Sequence, residues 1–312
     1  MGSFQLFQQW DIKNKTSIDW SYVYPKMQKI RLVTVTGSRT NTLWHMLNHY
    51  NDLVDEMYVV VYEWEGFSTY DEVYDIVKQF DKAQIVSRKT KEKFNWEYVT
   101  QLYNETKLLY PNDWWVVSDD DEFHIYPKQL SELISECEYN GWEFITGGFI
   151  DRIGENGIFP EINNNTNIWK QFPLAGFFRY PMSGACPNKV CVMKGSVKVT
   201  SGQHYVDFGD GTNSWGISHP KRYPIGRGEG LVQVHHFKWD STCGDRIRAV
   251  ANTNKNYAYS EEYRIMYRQL AKCKFKIDIT NSDFMIEELP IRLNDFSDYG
   301  KWYKLSKIIT KI

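Results

Sequence analysis

Short apolar runs alternate with segments of helical periodicity along the first half of the chain. Residues 30–36, 57–62 and 114–117 are β-rich apolar runs, and apolar residues recur at helical spacing in the segments between them. Continuous apolar strands separated by helices are typical of a mostly parallel sheet with helices on both faces. The pattern therefore predicts an α/β fold whose ligands bind beyond the carboxyl ends of the strands.

The alternation suggests where the chain divides. Its 312 residues suffice for one large α/β domain or two modest ones, and no repeat or low-complexity linker interrupts it. We predict an N-terminal extension packed on the body (1–29), one main domain (30–258) and a C-terminal helical appendage (259–312). Residues 301–312 form a basic amphipathic pattern. Packing on the body is the commoner outcome for such a helix, and peripheral contact with an anionic membrane is the alternative.

Composition narrows the class of protein. The 37 basic and 39 acidic residues leave a net charge of −2, which argues against a nucleic-acid partner. The five cysteines show no disulfide or zinc spacing, residues 1–10 do not resemble a signal peptide, and no apolar stretch approaches eighteen residues. We therefore expect a cytoplasmic protein with reduced thiols. Aromatic residues make up 16% of the chain, and their rings offer flat faces on which sugars stack.

An acidic run follows one of the predicted strands. Asp119, Asp120, Asp121 and Glu122 come directly after residues 114–117. Repulsion among four adjacent carboxylates does not favour stability, and a divalent cation would relieve it. Asp119 and Asp121 are two positions apart, so an extended backbone directs both the same way. Carboxylate oxygens suit magnesium or manganese, whereas the alternative interpretation is a solvated acidic turn.

Residues 116–123, VVSDDDEF, resemble the DxDEF signature of GT-A-fold, family-2-like nucleotide-sugar glycosyltransferases. The resemblance covers most of the chain and implies a Rossmann-like GT-A fold. It also implies transfer of a sugar from a nucleotide-diphosphate donor to a glycan or other hydroxyl acceptor, with Mn²⁺ or Mg²⁺ as cofactor. By the same resemblance Asp119 and Asp120 contact the donor. Asp121, with Asp119 beside it, ligates the metal that bridges the diphosphate.

A second element lies far downstream. Residues 234–239, VHHFKW, end another predicted strand and are similar to the element that returns a histidine to the metal in these enzymes. Only one of the two histidines can face the cleft, because strand residues alternate between faces. The resemblance favours His236, with His235 as the alternative, and places Lys238 near phosphate charge. A pair of structural histidines is the competing interpretation.

An inverting transfer also needs a general base for the acceptor hydroxyl. Asp151 ends the predicted strand 144–150 and is followed by Arg152, a pair that resembles one in related enzymes. We predict Asp151 as this base, with Glu161 and Asp207 in reserve. A simple Asp151–Arg152 ion pair is an equal alternative, and a retaining reaction would need no such base.

Arg39 follows the first strand and Glu63 or Glu65 the second, and the resemblance implies that these residues flank the nucleotide. No Gly-x-Gly-x-x-Gly or Walker motif is present, which disfavours dinucleotide oxidoreductases and P-loop enzymes. Two other functions stay open. A nucleotidyltransferase on a related fold would carry a basic, Gly-rich triphosphate loop after the first strand. A non-catalytic carbohydrate-binding protein would not need an acidic cluster and a distant histidine. We expect a metal-dependent glycosyltransferase of glycan biosynthesis.

Overall fold

The computed structural model describes residues 28–176, 178, 182–183, 186, 188–210, 219–224, 232–253 and 258–278. Residues 1–27 of the predicted extension and the basic segment 301–312 lie outside these ranges. In chain order the elements are β1 (Ile30–Thr36), α1 (Leu43–Tyr50), β2 (Glu56–Trp64), α2 (Tyr70–Val77), β3 (Ala83–Lys91), α3 (Trp96–Lys107), β4 (Trp114–Val117), β5 (Glu122–Ile125), α4 (Leu130–Asn140), β6 (Phe144–Ile153), α5 (Ile168–Gln171), β7 (Leu174–Gly176), β8 (Asn188–Lys194), β9 (Lys198–Val199), β10 (Val206–Asp207), β11 (Val232–His236), α6 (Cys243–Thr253) and α7 (Ala258–Lys272).

One large sheet organises the described chain. Its strand order is β3-β2-β1-β4-β8-β6-β11-β5, and β7 pairs with β6 outside this path. Strands β1 to β4, β6 and β11 run in one direction, while β5, β7 and β8 run in the other. The predicted α/β class with a mostly parallel sheet is confirmed. The order β3-β2-β1-β4 is that of one half of a Rossmann-like sheet.

Helices cover both faces of the sheet, as the apolar runs predict. Successive strand residues point to opposite faces, so Leu32 and Val33 of β1 belong to different core clusters. The cluster around Leu32 takes in residues of α1, α2 and α4, and the cluster around Val33 takes in residues of α3. Within the described residues, no helix is both long and apolar enough to cross a bilayer.

Strand β11 brings residues from three strands together at the candidate site. It lies between β6, to which it is parallel, and β5, to which it is antiparallel. In this register His236 is opposite Glu122 on one side and Asp151 on the other. Because directly paired residues project to the same face, these three side chains are gathered on one side of the sheet.

Candidate active site

The acidic run (residues 119–122) forms a tight turn between β4 and β5, closed by the amide of Glu122 donating to the carbonyl of Asp119 at 3.1 Å. Asp120, Asp121 and Glu122 are at most 8% exposed, and Asp119 is half-buried. The run is therefore not a solvated turn. Burying several carboxylates is costly unless cations or hydrogen bonds compensate them, so their partners define the site.

Arg39, from the loop after β1, compensates one end of the run. Its guanidinium contacts Asp121 directly and lies 3.4 Å from Asp120 and 3.2 Å from Asp240. Burial disfavours the charged form, but the surrounding carboxylates raise the pKa of Arg39 above its ordinary value. Burial also acts against ionisation of Asp121, yet Arg39 and His236 hold its pKa well below the usual range. Asp121 is thus a carboxylate.

Lys189, on β8, compensates the other end. Its ammonium lies 2.7 Å from Glu122 and 3.4 Å from Asp119, and the Tyr103 hydroxyl donates to Asp119 at 2.7 Å. Burial raises the pKa of Glu122 to about 8, and Lys189 opposes that rise without cancelling it. Arg39 and Lys189 therefore place two cationic side chains among the four carboxyl groups, and the protonated imidazole of His236 adds a third positive charge.

His236 joins the run to β6. Its Nε2 lies 3.5 Å from a carboxylate oxygen of Asp121, and its Nδ1 lies 3.0 Å from Asp151. Burial would keep the ring neutral, but Asp121 and Asp151 together raise the pKa of His236 to about 9. His235 points elsewhere, since its Nδ1 accepts from Arg152 and its Nε2 lies 3.0 Å from Gln233. Of the two histidines, His236 is the one at the acidic run.

The donor set suits a hard divalent cation. Asp121, Glu122 and His236 each offer a ligand atom, and these atoms lie within 4.8 Å of one another. Two carboxylate oxygens and an imidazole nitrogen fit manganese well and magnesium acceptably. The predicted ligand set differs in one member. Asp119 instead faces Tyr103 and Lys189, and Glu122 is the second carboxylate near His236.

The prediction of Asp151 as general base has no support in this geometry. One of its carboxylate oxygens accepts from Trp239 at 2.7 Å and faces His236, and the other accepts from the amide of Phe178 at 2.9 Å. Asp151 is 6% exposed and is absent from the linings of the two cavities described below. These contacts make it a positioning group that fixes the His236 ring. No Asp151–Arg152 ion pair is among the contacts, because Arg152 turns to His235.

Glu63 lines neither of the two cavities described below, whereas Glu65 lines the outer one. One of the Glu63 oxygens accepts from the amides of Thr69 and Tyr70 at the start of α2, and the other pairs with Arg88 at 2.8 Å. Its carboxylate therefore caps a helix, where it also meets the positive end of the helix dipole. Lys238 does line a cavity, and its ammonium lies 4.9 Å from the Tyr263 ring centre.

Two adjoining cavities open at the carboxyl edge of the sheet. The inner one, of about 290 Å³, is lined by the acidic run, Arg39, Lys189, His204, His236 and Lys238. The outer one, of about 770 Å³, is lined by aromatic residues of the β2 end and by polar residues of α6. Both include Arg39, Trp64 and Arg246, so they form one cleft. Gly37 permits this shape, because a Cβ there would lie 1.9 Å from the carbonyl oxygen of Tyr62.

Several residues of the cleft were missed by the sequence reasoning. Lys189 is an isolated lysine in an apolar strand. A charged residue in such a run is rarely buried without a partner, and this could have marked it as part of a charged site. Asp240 follows the VHHFKW element directly and anchors Arg39 and Arg246. Helix α7, which the predicted boundary at 259 places in the appendage, contributes Tyr263 to the cleft. His204 is different, because the sequence suggests Gly202–His204 as a loop that could close over donor or acceptor, with an ordinary polar turn as the alternative, and in the structure His204 lies in the same wall.

Comparison with known proteins adds remote likenesses. No protein-family model and no curated protein matches the chain. Among solved structures, S. aureus TarS 1–349 is similar at 10% identity over 78% of this chain and 72% of TarS, with a TM-score of 0.33. The same protein in complex with UDP-GlcNAc aligns at 9% identity, 78% and 71% coverage and a TM-score of 0.33. A 4-diphosphocytidyl-2C-methyl-D-erythritol synthase is similar at 15% identity over 54% of this chain and 76% of its own, with a TM-score of 0.31. Likenesses this remote do not decide what the chain does.

Proposed function

We propose that the chain is a metal-dependent glycosyltransferase that moves a sugar from a nucleotide-diphosphate donor to a hydroxyl acceptor. The observation that carries the proposal is the convergence of Asp121, Glu122 and His236 in the wall of a cleft at the carboxyl edge of a mostly parallel sheet. Open α/β sheets bind ligands at this edge. A hard cation held by two carboxylates is the usual partner of a diphosphate.

The residues of the cleft have distinct roles in this proposal. Asp121, Glu122 and His236 would hold Mn²⁺ or Mg²⁺, which would neutralise charge on the departing nucleoside diphosphate. Asp151 keeps the His236 ring in place through its 3.0 Å contact. Arg39 and Lys238 line the same cavity and would pair with phosphate oxygens. Asp119 and Asp120 would contact the donor, and Trp64 offers an aromatic face for a base or a sugar.

Charge balance is consistent with this arrangement. Lys189 is held by Glu122 and Asp119, and Arg39 is held by Asp121, Asp120 and Asp240. A donor that brings its own cation adds positive and negative charge together, so the cleft can accept it without burying an uncompensated charge. This explains how a diphosphate can enter a cavity whose wall carries four carboxyl groups.

A nucleotidyltransferase is the second candidate and is less favoured. Such an enzyme would need a basic loop free to hold a triphosphate after the first strand. In this structure the loop after β1 holds one glycine, Gly37, and one basic residue, Arg39, so it has no basic, Gly-rich run for a triphosphate. Product analysis separates the two, because a glycosyltransferase releases a nucleoside diphosphate and a nucleotidyltransferase releases pyrophosphate.

Thermal unfolding with ligands tests the proposal first. The protein is heated with UDP, GDP, CDP and ADP and with their sugar conjugates, UDP-GlcNAc included, each with and without MnCl₂. We expect at least one nucleotide to raise the unfolding midpoint only when manganese is present. Release of nucleoside diphosphate from the same donors then measures turnover. No stabilisation and no release with any donor would contradict the proposal.

Site variants with matched controls locate the effect. Asp121→Asn and His236→Gln should abolish the manganese-dependent stabilisation, because each removes a ligand. Asp81→Asn and His219→Gln change the same residue types at positions outside the cleft linings and should leave it intact. Equal stabilisation in Asp121→Asn and the unmodified protein would place the metal elsewhere.

A further inference from the structure

His204 is the one histidine besides His236 in the wall of the inner cavity. It follows a short 3-10 turn (Ser201–Gln203) beside strand β8. The centre of the Phe149 ring lies 6.3 Å from that of the His204 ring and 4.8 Å from that of the His236 ring. The cavity therefore has one imidazole at the acidic run and a second one that shares the Phe149 ring as a neighbour.

The hydrogen bonds of His204 define which nitrogen is basic. Its Nδ1 lies 2.7 Å from the backbone carbonyl oxygen of Asn188. A carbonyl only accepts, so Nδ1 carries the proton and Nε2 carries a lone pair. The Asn188 side chain donates in return to the carbonyl of His204, which fixes the ring from both sides. Among the described residues no hydrogen bond is made to Nε2.

The charge state agrees with that tautomer. Burial, and Lys189 after it, lower the pKa of His204 to about 4. The ring is therefore neutral at physiological pH. A neutral imidazole with its Nδ1–H bound to a carbonyl presents an oriented proton acceptor at Nε2.

The turn that presents His204 is strained and held by the site itself. Gly202 has a φ of +72°, and Gln203 has a φ of +54°, a conformation that residues with a Cβ seldom adopt. The buried Lys189 ammonium donates to the Gly202 carbonyl at 2.9 Å and to the Gln203 side chain at 2.8 Å. A Cβ on Gly202 would lie 2.8 Å from the His204 ring. Such strain persists where the surroundings fix it, often at functional sites.

The three acidic residues that the sequence suggests as bases do not offer a comparable group. Both oxygens of Asp151 are used inside the protein. Glu161 is exposed, one oxygen of Asp207 accepts from the amide of Gly209, and neither residue lines the cleft. His204 combines a place in the cavity wall, a defined tautomer and an Nε2 without a partner among the described residues.

We propose that Nε2 of His204 accepts the proton of the attacking hydroxyl group in the sugar transfer. The inference rests on the proposed function and adds a catalytic residue to it. As the hydroxyl oxygen forms its bond to the anomeric carbon, the bond from that carbon to the diphosphate oxygen breaks. The nucleoside diphosphate leaves with the electron pair. The hydroxyl proton passes to Nε2, and the resulting imidazolium returns it to water.

The test compares two nucleophiles on the donor that the unmodified protein turns over. Water must lose a proton to attack, whereas azide carries none and needs no base. His204→Asn keeps a side-chain donor near the Asn188 carbonyl but removes Nε2. We expect this variant to lower the manganese-dependent hydrolysis of the donor by about 10²-fold or more. The azide reaction and the nucleotide-induced thermal shift should stay at the level of the unmodified protein.

Two further variants make the outcome decisive. Gly202→Ala keeps the imidazole but pushes it aside, so hydrolysis should fall while azide attack persists; His219→Asn should change neither. Hydrolysis by His204→Asn at the unmodified rate, or an equal loss of both reactions, would overturn the inference. Loss of hydrolysis with azide rescue in Asp151→Asn alone would return the role to Asp151. If the unmodified protein releases no nucleoside diphosphate from any donor, the proposed function itself fails and the inference falls with it.

Discussion

Replacing Lys107 by methionine should remove a pH-dependent destabilisation of the fold. Lys107 is the last residue of α3 and is fully buried. Its ammonium donates to the Val197 carbonyl and lies 3.1 Å from the sulfur of Met193. No carboxylate among the described residues pairs with it. Burial lowers the pKa of Lys107 to about 7, and a neutral amine still has hydrogens for the carbonyl bond.

The sign and size of the effect follow from this shift. In the unfolded chain the Lys107 ammonium keeps its proton up to about pH 10.5. In the folded protein the same group loses its proton near pH 7. Between these values the unfolded chain binds more protons, so this residue makes stability rise with pH. The linkage relation gives a destabilisation of about 4 kcal/mol at pH 7 that falls to about 2 kcal/mol at pH 9. Methionine removes this term but leaves the Val197 carbonyl without its donor, which costs about 1–3 kcal/mol at every pH.

Urea unfolding followed by tryptophan fluorescence measures the difference at pH 7, 8 and 9. The free energy of unfolding of Lys107→Met minus that of the unmodified protein should fall by about 2 kcal/mol from pH 7 to pH 9. The cost of the lost hydrogen bond is the same at every pH, so it does not contribute to this fall between pH 7 and pH 9. Other titrating groups contribute equally to the variant and the unmodified protein, so their effects cancel in the difference. Lys78→Met, at a half-exposed lysine, should give a flat difference. A flat difference for Lys107→Met would show that the buried amine keeps its proton.

Two further predictions test the contacts by which Glu63 caps helix α2 and Asp151 holds the His236 ring. Glu63→Ala should lower the free energy of unfolding by about 1–3 kcal/mol, because two amides at the start of α2 lose their acceptor, while nucleotide affinity measured by calorimetry stays unchanged. A large loss of affinity with no loss of stability would restore Glu63 to the nucleotide site. Asp151→Asn should lower the pKa of His236 from about 9 toward 6.5, since a carboxylate that favours the imidazolium is removed. An NMR titration of the His236 ring, with its resonance assigned from the spectrum of His236→Gln, measures this pKa. An unchanged pKa would show that Asp151 does not affect the protonation of His236.

Much of the fold could be predicted because its central strands are continuous apolar runs. Strands β1 and β4 begin and end at the predicted residues. Edge structure was harder to predict. Strand β3 (Ala83–Lys91) is absent from the predicted apolar runs, because its outer half pairs with β2 through the backbone while most of its side chains stay exposed. A strand with exposed side chains that is stabilised by backbone pairing cannot be recognised from the pattern of hydrophobic residues.

The site was predictable only as far as strand ends and alternation reach. Those rules bring Asp121 and His236 to one edge, and the structure places them 3.5 Å apart. Strand ends and alternation do not determine which group a carboxylate will bind. Glu63 was expected after its strand but lies inside β2, and its carboxylate accepts from two amides at the amino end of α2. His204 reaches the cavity through a strained turn that buried Lys189 fixes, and a contact between distant segments has no local signal.

The pairing of β11 between β5 and β6 bears on how such a centre tolerates change during evolution. Two consecutive histidines occupy the end of this strand, and their side chains project to opposite faces. A shift of the strand by one position would turn His236 away and bring His235 into the place beside the carboxylates. Lineages that carry only one imidazole here would lose a ligand through the same slip. The doubled histidine therefore keeps an imidazole at this position after a slip in one direction, whereas a slip in the other direction would place Phe237 there.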